Sequence, residues 1–273
     1  METRDGRLRL VTRGRGTPLL CLHGLGAHAG VFRLVAPLLE DGFALRLPDL
    51  LGRGRSEARP EVPYTLEREL SRAARLVEDL PDRGYLALGH SQGAALAVAL
   101  AAGAAGGPPR PAGLVLVAPV TPWTRRPRAL GLLRRPVVRR LLAPLATRLR
   151  RPLTRLVLER RAFGDPDRVD DATVRRYAEP WADPRRAEAL LRALADWRPD
   201  RLSTHLPADP PPAAVVAGGR DRRIPPDQAR RWAAQLGAGF RLVPGAGHVV
   251  PEERPRAVAR AVRRVARLSG PAG

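Results

Sequence analysis

The sequence predicts an α/β protein with a mostly parallel central sheet flanked by helices, and a helical cap inserted before the penultimate strands. Three observations predict it. Short apolar runs alternate with longer helical patterns, as in chains that lay a parallel sheet under helices. The runs are continuously apolar, which suits strands buried on both faces. The alternation then stops between Val120 and Ala213, where amphipathic pieces are punctuated by Pro136, Pro144 and Pro152. Proline inside a helical pattern ends or kinks it, so that stretch reads as several short helices.

In chain order, Gly6–Thr12 alternates in polarity and fits an antiparallel edge strand. Strands follow at Pro18–Leu22, Phe43–Leu47, Tyr85–Gly89, Leu114–Ala118, Ala213–Ala217 and Phe240–Val243. Helices are expected at Gly30–Glu40, Leu66–Leu80, Gln92–Ala102, Pro226–Leu236 and Pro255–Leu268. In the second of these, Leu66, Leu70, Ala73, Val77 and Leu80 share one face, with Thr65 as N-cap. Gln92–Ala102 is apolar nearly all round and should be buried. In the last, Val258, Ala261, Val262, Val265 and Leu268 form the stripe that meets the sheet. The expected organisation is a core in two parts, residues 1–120 and 206–273, with the helical cap at 121–205. The 273 residues fit one domain carrying such an insertion.

The formal charge is +21, and every one of the 48 basic residues is arginine. With Ala, Gly and Pro abundant, this fits a GC-rich coding bias and arginine as the default surface residue. No helix-turn-helix, zinc spacing or aromatic RNA motif accompanies the charge, so nucleic acid is not expected as a partner. Cys21, alone in an apolar run, reads as a buried structural thiol. The charged N-terminus shows no secretory signal, and no run reaches the about 20 apolar residues of a membrane span, which makes cytoplasmic the expected location. The histidines are scattered, no metal-ligand spacing or phosphate loop occurs, and neither metal nor cofactor is expected.

The chemistry-bearing signal is Gly89-His90-Ser91-Gln92-Gly93, between a strand and a helix. This is the context of a nucleophile elbow, where Ser91 sits in a turn so tight that its neighbours must be small. A serine hydroxyl needs a base to take its proton. His248 lies in the loop between the last strand and the last helix, at the sheet edge that also bears Ser91. A carboxylate must orient that base, and Asp221 directly follows the Ala213–Ala217 strand. The order Ser91, Asp221, His248 is the order of this fold's triads. The loop His23-Gly24-Leu25-Gly26 can aim an amide at the site. The amides of Leu25 and Gln92 are the expected oxyanion donors, with His23, Gly24, Gly89 and Gly93 as the supporting loop residues. His90 should pack beside the nucleophile without titrating in the reaction.

On these residues the chain resembles the α/β-hydrolase superfamily, in its cap-bearing branch. The resemblance rests on His23-Gly24, Asp49–Ser56, the elbow, Asp221 followed by Pro225, and Gly247-His248 with Glu253 and Pro255 behind, and runs from about residue 6 to about 268. It implies a serine hydrolase acting through an acyl-enzyme on a small or lipid-like carboxylic ester, with the Asp49–Ser56 loop structural. Epoxide hydrolases and haloalkane dehalogenases carry aspartate at the elbow, so Ser91 argues against both. Carbon–carbon bond hydrolysis, cofactor-free haloperoxidase or perhydrolase chemistry, and an accessory role such as a helper in tetrapyrrole biosynthesis stay open.

The expected partner is a small molecule with an apolar acyl group. From Pro122 to Arg161 there are thirteen arginines and one acid, Glu159, interleaved with leucines. A cap must bury one face, so the leucines are expected to turn toward the core and the arginines toward water. The alternative is an interfacial cap making weak contact with an anionic membrane surface.

Overall fold

In the computed structural model of the protein, which describes residues 1–103 and 107–270, seven strands form one sheet. They are β1 (Arg9–Arg13), β2 (Thr17–Leu22), β3 (Phe43–Asp49), β4 (Leu86–His90), β5 (Gly113–Val117), β6 (Ala213–Gly218) and β7 (Gly239–Val243). Their order across the sheet is β1-β3-β2-β4-β5-β6-β7, and all neighbours run parallel except β1 against β3. The order reverses at β2, which lies between β3 and β4. In such sheets ligands bind beyond the carboxyl ends of the strands at the reversal.

Strand residues point alternately to the two faces, and each face has its own core. Leu20, Leu22, Ala87, Leu114, Leu116 and Val215 pack with α1 (Leu66–Ala74), α2 (Gln92–Ala102) and α7 (Pro226–Gln235). Leu19, Cys21, Leu86, Leu88, Val115 and Val117 pack with α8 (Pro255–Leu268). The apolar α2 is buried throughout, and the Cys21 thiol is free and buried, which pushes its pKa up. Between β5 and β6 no strand occurs among the described residues. The segment holds α3 (Pro136–Arg148), α4 (Arg150–Val157), α5 (Asp171–Ala178) and α6 (Pro184–Asp196), with shorter helical turns between them.

Four expectations are corrected. Gly6–Thr12 is split: Gly6–Arg7 pairs with Glu2–Thr3 as a small hairpin, and the edge strand begins at Arg9. Gly30–Glu40 is two short 3₁₀ turns, Ala29–Phe32 and Ala36–Leu38, the second with Pro37 in its first turn. The helix begun at Leu66, capped by Thr65, ends at Ala74. Beyond it the amides of Leu76, Val77 and Leu80 bond three residues back, and Arg46 holds the Leu76 carbonyl at 2.8 Å. Finally, most of the leucines between Pro122 and Arg161 face outward. Leu133, Ala143 and Leu191 form an inner cluster, but Leu141, Leu145, Leu149, Leu153 and Leu156 are exposed.

One polar group is walled into the core beside α2. Arg53, fully buried, meets Glu69 of α1 at 2.5 Å, the Leu51 carbonyl at 2.9 Å and the Gln92 side-chain oxygen at 3.3 Å. Arg72 lies 3.6 Å from Glu69 and bonds Asp5, and the Tyr64 ring faces both guanidiniums. Removing one partner of such a pair leaves a buried charge uncompensated. Arg53→Met should therefore lower stability by about 3–5 kcal/mol, measured by denaturant unfolding. Arg53→Met with Glu69→Leu should recover part of that loss; a double variant no better than the single one would contradict this account.

Candidate active site

The loop from β4 to α2 is built around a residue in an unfavourable conformation. Ser91 has φ 55° and ψ −115°, in the left-handed half of backbone space that side chains avoid. The conformation is held from three sides. The Ser91 amide donates to the Val117 carbonyl at 2.9 Å, and the Ser91 carbonyl accepts from Ala94 and Val120. Gly93 lies so close to the Leu22 backbone that a Cβ would overlap it, and a Cβ on Gly89 would strike the Ala94 and Gly93 backbone. Both glycines are required by this close approach.

The hydroxyl of Ser91 lies 3.0 Å from Nε2 of His248, and Nδ1 of the same ring lies 2.8 Å from Oδ2 of Asp221. The three side chains come from the ends of β4, β6 and β7, which are far apart in sequence and share one rim of the sheet. Asp221 accepts at Oδ1 from the amides of Arg223 and Ile224 at 2.8 and 2.9 Å. Burial would push its carboxyl up, but His248 and these amides together hold it below the ordinary carboxylate range. An ionised Asp221 fixes His248 with its proton on Nδ1, leaving Nε2 to accept from Ser91.

The His23–Gly26 loop meets the same point. A Cβ on Gly24 would stand 2.9 Å from the Ser91 Cβ, so this loop, too, needs glycine at its closest approach. Gln92 is the first residue of α2 and its amide has no helical acceptor. Among the described residues neither the Gln92 nor the Leu25 amide bonds to another protein group. Leu25, Ser91 and His248 line one cavity of about 440 Å³. Its walls are mainly apolar, with Leu153, Val157 and Leu158 from the α4 side and Leu190, Leu191 and Leu194 from α6.

His23 acts as a brace. Its Nδ1–H donates to the Gly24 carbonyl at 2.8 Å and its Nε2 accepts from the Leu50 amide at 2.9 Å. His90 donates from Nε2 to the His248 carbonyl at 3.0 Å. Sequence reasoning missed the supporting roles of Glu253, the Ala162 carbonyl, Arg53 and Glu69. Glu253 accepts from the amides of Gly247 and Gly164, tying the histidine loop to the inserted helical segment. Burial pushes its carboxyl up against the pull of those amides. The His248 amide also donates to the Ala162 carbonyl at 2.6 Å. Arg53 and Glu69, from the other side, reach the elbow through Gln92. Glu69 could have been noticed as a charge beside the apolar face of its helix; nothing local pointed to the role of Glu253. Among the described residues no group of three or more metal-ligating side chains converges.

A model of the alpha/beta hydrolase family matches residues 19–261. A magnesium-chelatase 30 kDa subunit of Rhodobacter capsulatus is 29% identical over 246 residues, covering 87% of this chain and 82% of that protein. An uncharacterized hydrolase of Bacillus subtilis is 25% identical over 258 residues, 90% and 88% of the two chains. Among solved structures, an alpha/beta hydrolase fold protein from Burkholderia ambifaria superposes with a TM-score of 0.82 at 26% identity, covering 96% and 95%. A thermophilic esterase from Thermogutta terrifontis does so with 0.73 at 26% identity, covering 96% and 93%.

The two bracing histidines carry a consequence for pH. Burial lowers His23 to about 4, against the opposing pull of Asp49, and lowers His90 to about 3. Both values lie below the ordinary 6.5. As pH falls below 6.5, the unfolded chain takes up protons that the folded chain refuses. Stability is therefore full above that pH and declines toward pH 4, by on the order of 1 kcal/mol per pH unit for each ring. Denaturant midpoints measured at about pH 7 and about pH 4.5 should differ in that direction; equal midpoints would mean that the rings are not held neutral.

Proposed function

Because the chain belongs to the alpha/beta hydrolase family, we propose that it is a serine hydrolase acting through an acyl-enzyme on a carboxylic ester with an apolar acyl group. The observation that carries this reading is the unbroken chain from Ser91 Oγ through His248 to Asp221, opening on an apolar cavity. As Ser91 attacks the ester carbonyl, Nε2 of His248 takes its proton. Asp221 stabilises the resulting imidazolium without accepting that proton. The developing oxyanion is met by the amides of Leu25 and Gln92, the second at the positive end of α2. His248 then protonates the departing alcohol. Water repeats the sequence on the acyl-enzyme, returning the acid and the free hydroxyl. The helices inserted between β5 and β6 serve as the cap that walls the acyl pocket.

Serine at position 91 disfavours the alkyl-enzyme chemistry that uses a carboxylate nucleophile, and carbon–carbon or peracid chemistry would share the same three groups. A second reading is supported by the likeness to the magnesium-chelatase subunit across most of both chains: an accessory protein of a magnesium chelatase, in which the three groups need not turn over. The two readings separate on Ser91.

Ser91→Ala should abolish labelling by a fluorophosphonate and lower hydrolysis of a p-nitrophenyl ester by at least about a thousandfold. Asp221→Asn should lower it by on the order of ten thousandfold, with labelling slowed in parallel. Full labelling of the Ser91→Ala variant would identify another nucleophile; a wild type that resists labelling would leave the accessory reading in place.

A further inference from the structure

Thirteen large hydrophobic residues are exposed among the described residues, and nine of them lie from Leu132 to Val157. Single exposed leucines are ordinary on soluble proteins, but a contiguous patch is not. This one is organised. On α3, Val137, Leu141 and Leu145 recur four apart on one face, with exposures of 65, 72 and 50%. Leu149, Leu153 and Leu156 continue the stripe along α4, at 38, 46 and 51%. The opposite faces are occupied: Arg139 and Ala143 are buried toward α6, and Leu158 lies in a cluster with Val174 and Tyr177.

The charge around the stripe is of one sign. No acidic residue occurs between Asp82 and Glu159. Arg139 is spent inside, on the Leu133 and Arg134 carbonyls, and Arg155 is spent on Glu159 and Asp171. Arg134, Arg135, Arg140, Arg148 and Arg151 are exposed and have no acidic partner among the described residues. Leucines ringed by unpaired arginines complement a surface that is apolar within and anionic at its edge, as an anionic bilayer is. The stripe is also continuous with the cavity: Ala146, Arg150, Leu153 and Val157 of the same two helices line the space that ends at Ser91.

We propose that the outer face of α3 and α4 docks on an anionic lipid bilayer and turns the mouth of the Ser91 cavity toward substrate dissolved in it. The docking stands on the surface alone; only the delivery of an ester to Ser91 rests on the hydrolase reading. The arginines hold the headgroups while the leucines enter the boundary below them. An amphiphilic substrate can then slide acyl chain first between α4 and α6 without crossing water.

The full chain should co-sediment with vesicles of phosphatidylserine and phosphatidylcholine in equal parts, and at least tenfold less with phosphatidylcholine alone. Added salt should weaken the binding, and each of Arg140→Gln, Arg148→Gln and Arg151→Gln should cost about fivefold. Leu141→Gln with Leu145→Gln, at positions too exposed to carry the fold, should remove most of it while the circular dichroism and unfolding midpoint stay those of the wild type. Failure to bind anionic vesicles, or equal binding to both compositions, overturns the proposal. So does a wild-type dimer dissolved by the leucine variant, which would make the stripe a contact between copies of this chain. Ser91→Ala should bind vesicles as the wild type does. Lost vesicle binding with fluorophosphonate labelling intact removes the docking alone, and lost labelling with binding intact removes the hydrolase reading alone.

Discussion

The strained backbone at Ser91 is the constraint on which the other features hang. A residue in that region costs on the order of 1–3 kcal/mol and persists only where its surroundings over-determine it. Here they do. The Ser91 amide and carbonyl are both engaged, β2 presses its Leu22 backbone against Gly93, and α2 starts at the next residue. The same contacts that force the conformation also aim the hydroxyl out of the sheet. Relaxing the turn would require separating β2 from α2, which would open the core formed by Leu20, Leu22 and the α2 alanines. The cost of the strain is thus linked to the burial of the whole upper sheet face, and the position of one oxygen atom follows from the packing of a domain.

The partner of that oxygen is held by a different means. His248 sits in a loop whose amides at 247 and 248 are taken by Glu253 and by the Ala162 carbonyl. Glu253 also accepts from Gly164. One buried carboxylate therefore fastens the histidine loop to the end of the inserted helices, the same segment that walls the cavity. Any shift of those helices is transmitted to the ring that must reach Ser91. His248 and the pocket wall share an anchor, while Ser91 is anchored on the sheet and α2.

What was legible in the sequence follows from the range of the forces involved. The inner strands could be read because burial on two faces leaves a largely apolar run, and six of the seven strands, the exposed edge Gly239–Val243 included, lie within a residue or two of their expected places. Ser91, Asp221 and His248 could be read because each sits in a loop directly after a strand, and parallel topology sends all those loops to one rim. The helix expected at Gly30–Glu40 could not form through Pro37, and the one from Leu66 stops at Ala74, where the bonding tightens to three residues back and Arg46, distant in sequence, holds the Leu76 carbonyl just beyond. Arg53 illustrates the limit more sharply. It lies in a glycine-rich loop whose role reads only as structural, and it is fully buried because Glu69 and Gln92 converge on it from two helices. Composition likewise treats 48 arginines alike, whereas the fold divides them into buried supports such as Arg53, Arg72 and Arg139 and an exposed set on α3 and α4.

The leucines of α3 and α4 expose a further asymmetry between pattern and placement. Helical periodicity states which residues share a face; it does not state whether that face looks into the molecule or away from it. The usual inference, that the apolar face is the inner one, holds only if the protein must supply its own covering. In α3 the inner contact is made by Ala143 and by Arg139, whose guanidinium turns inward onto the Leu133 and Arg134 carbonyls, and Val137, Leu141 and Leu145 are left outside. A helix that buries its alanines and presents its leucines has its larger apolar area facing the solvent. That inversion, on the wall of a cavity that already opens on Ser91, makes the outer face of α3 and α4 a surface suited to something outside the chain and not a fragment of core.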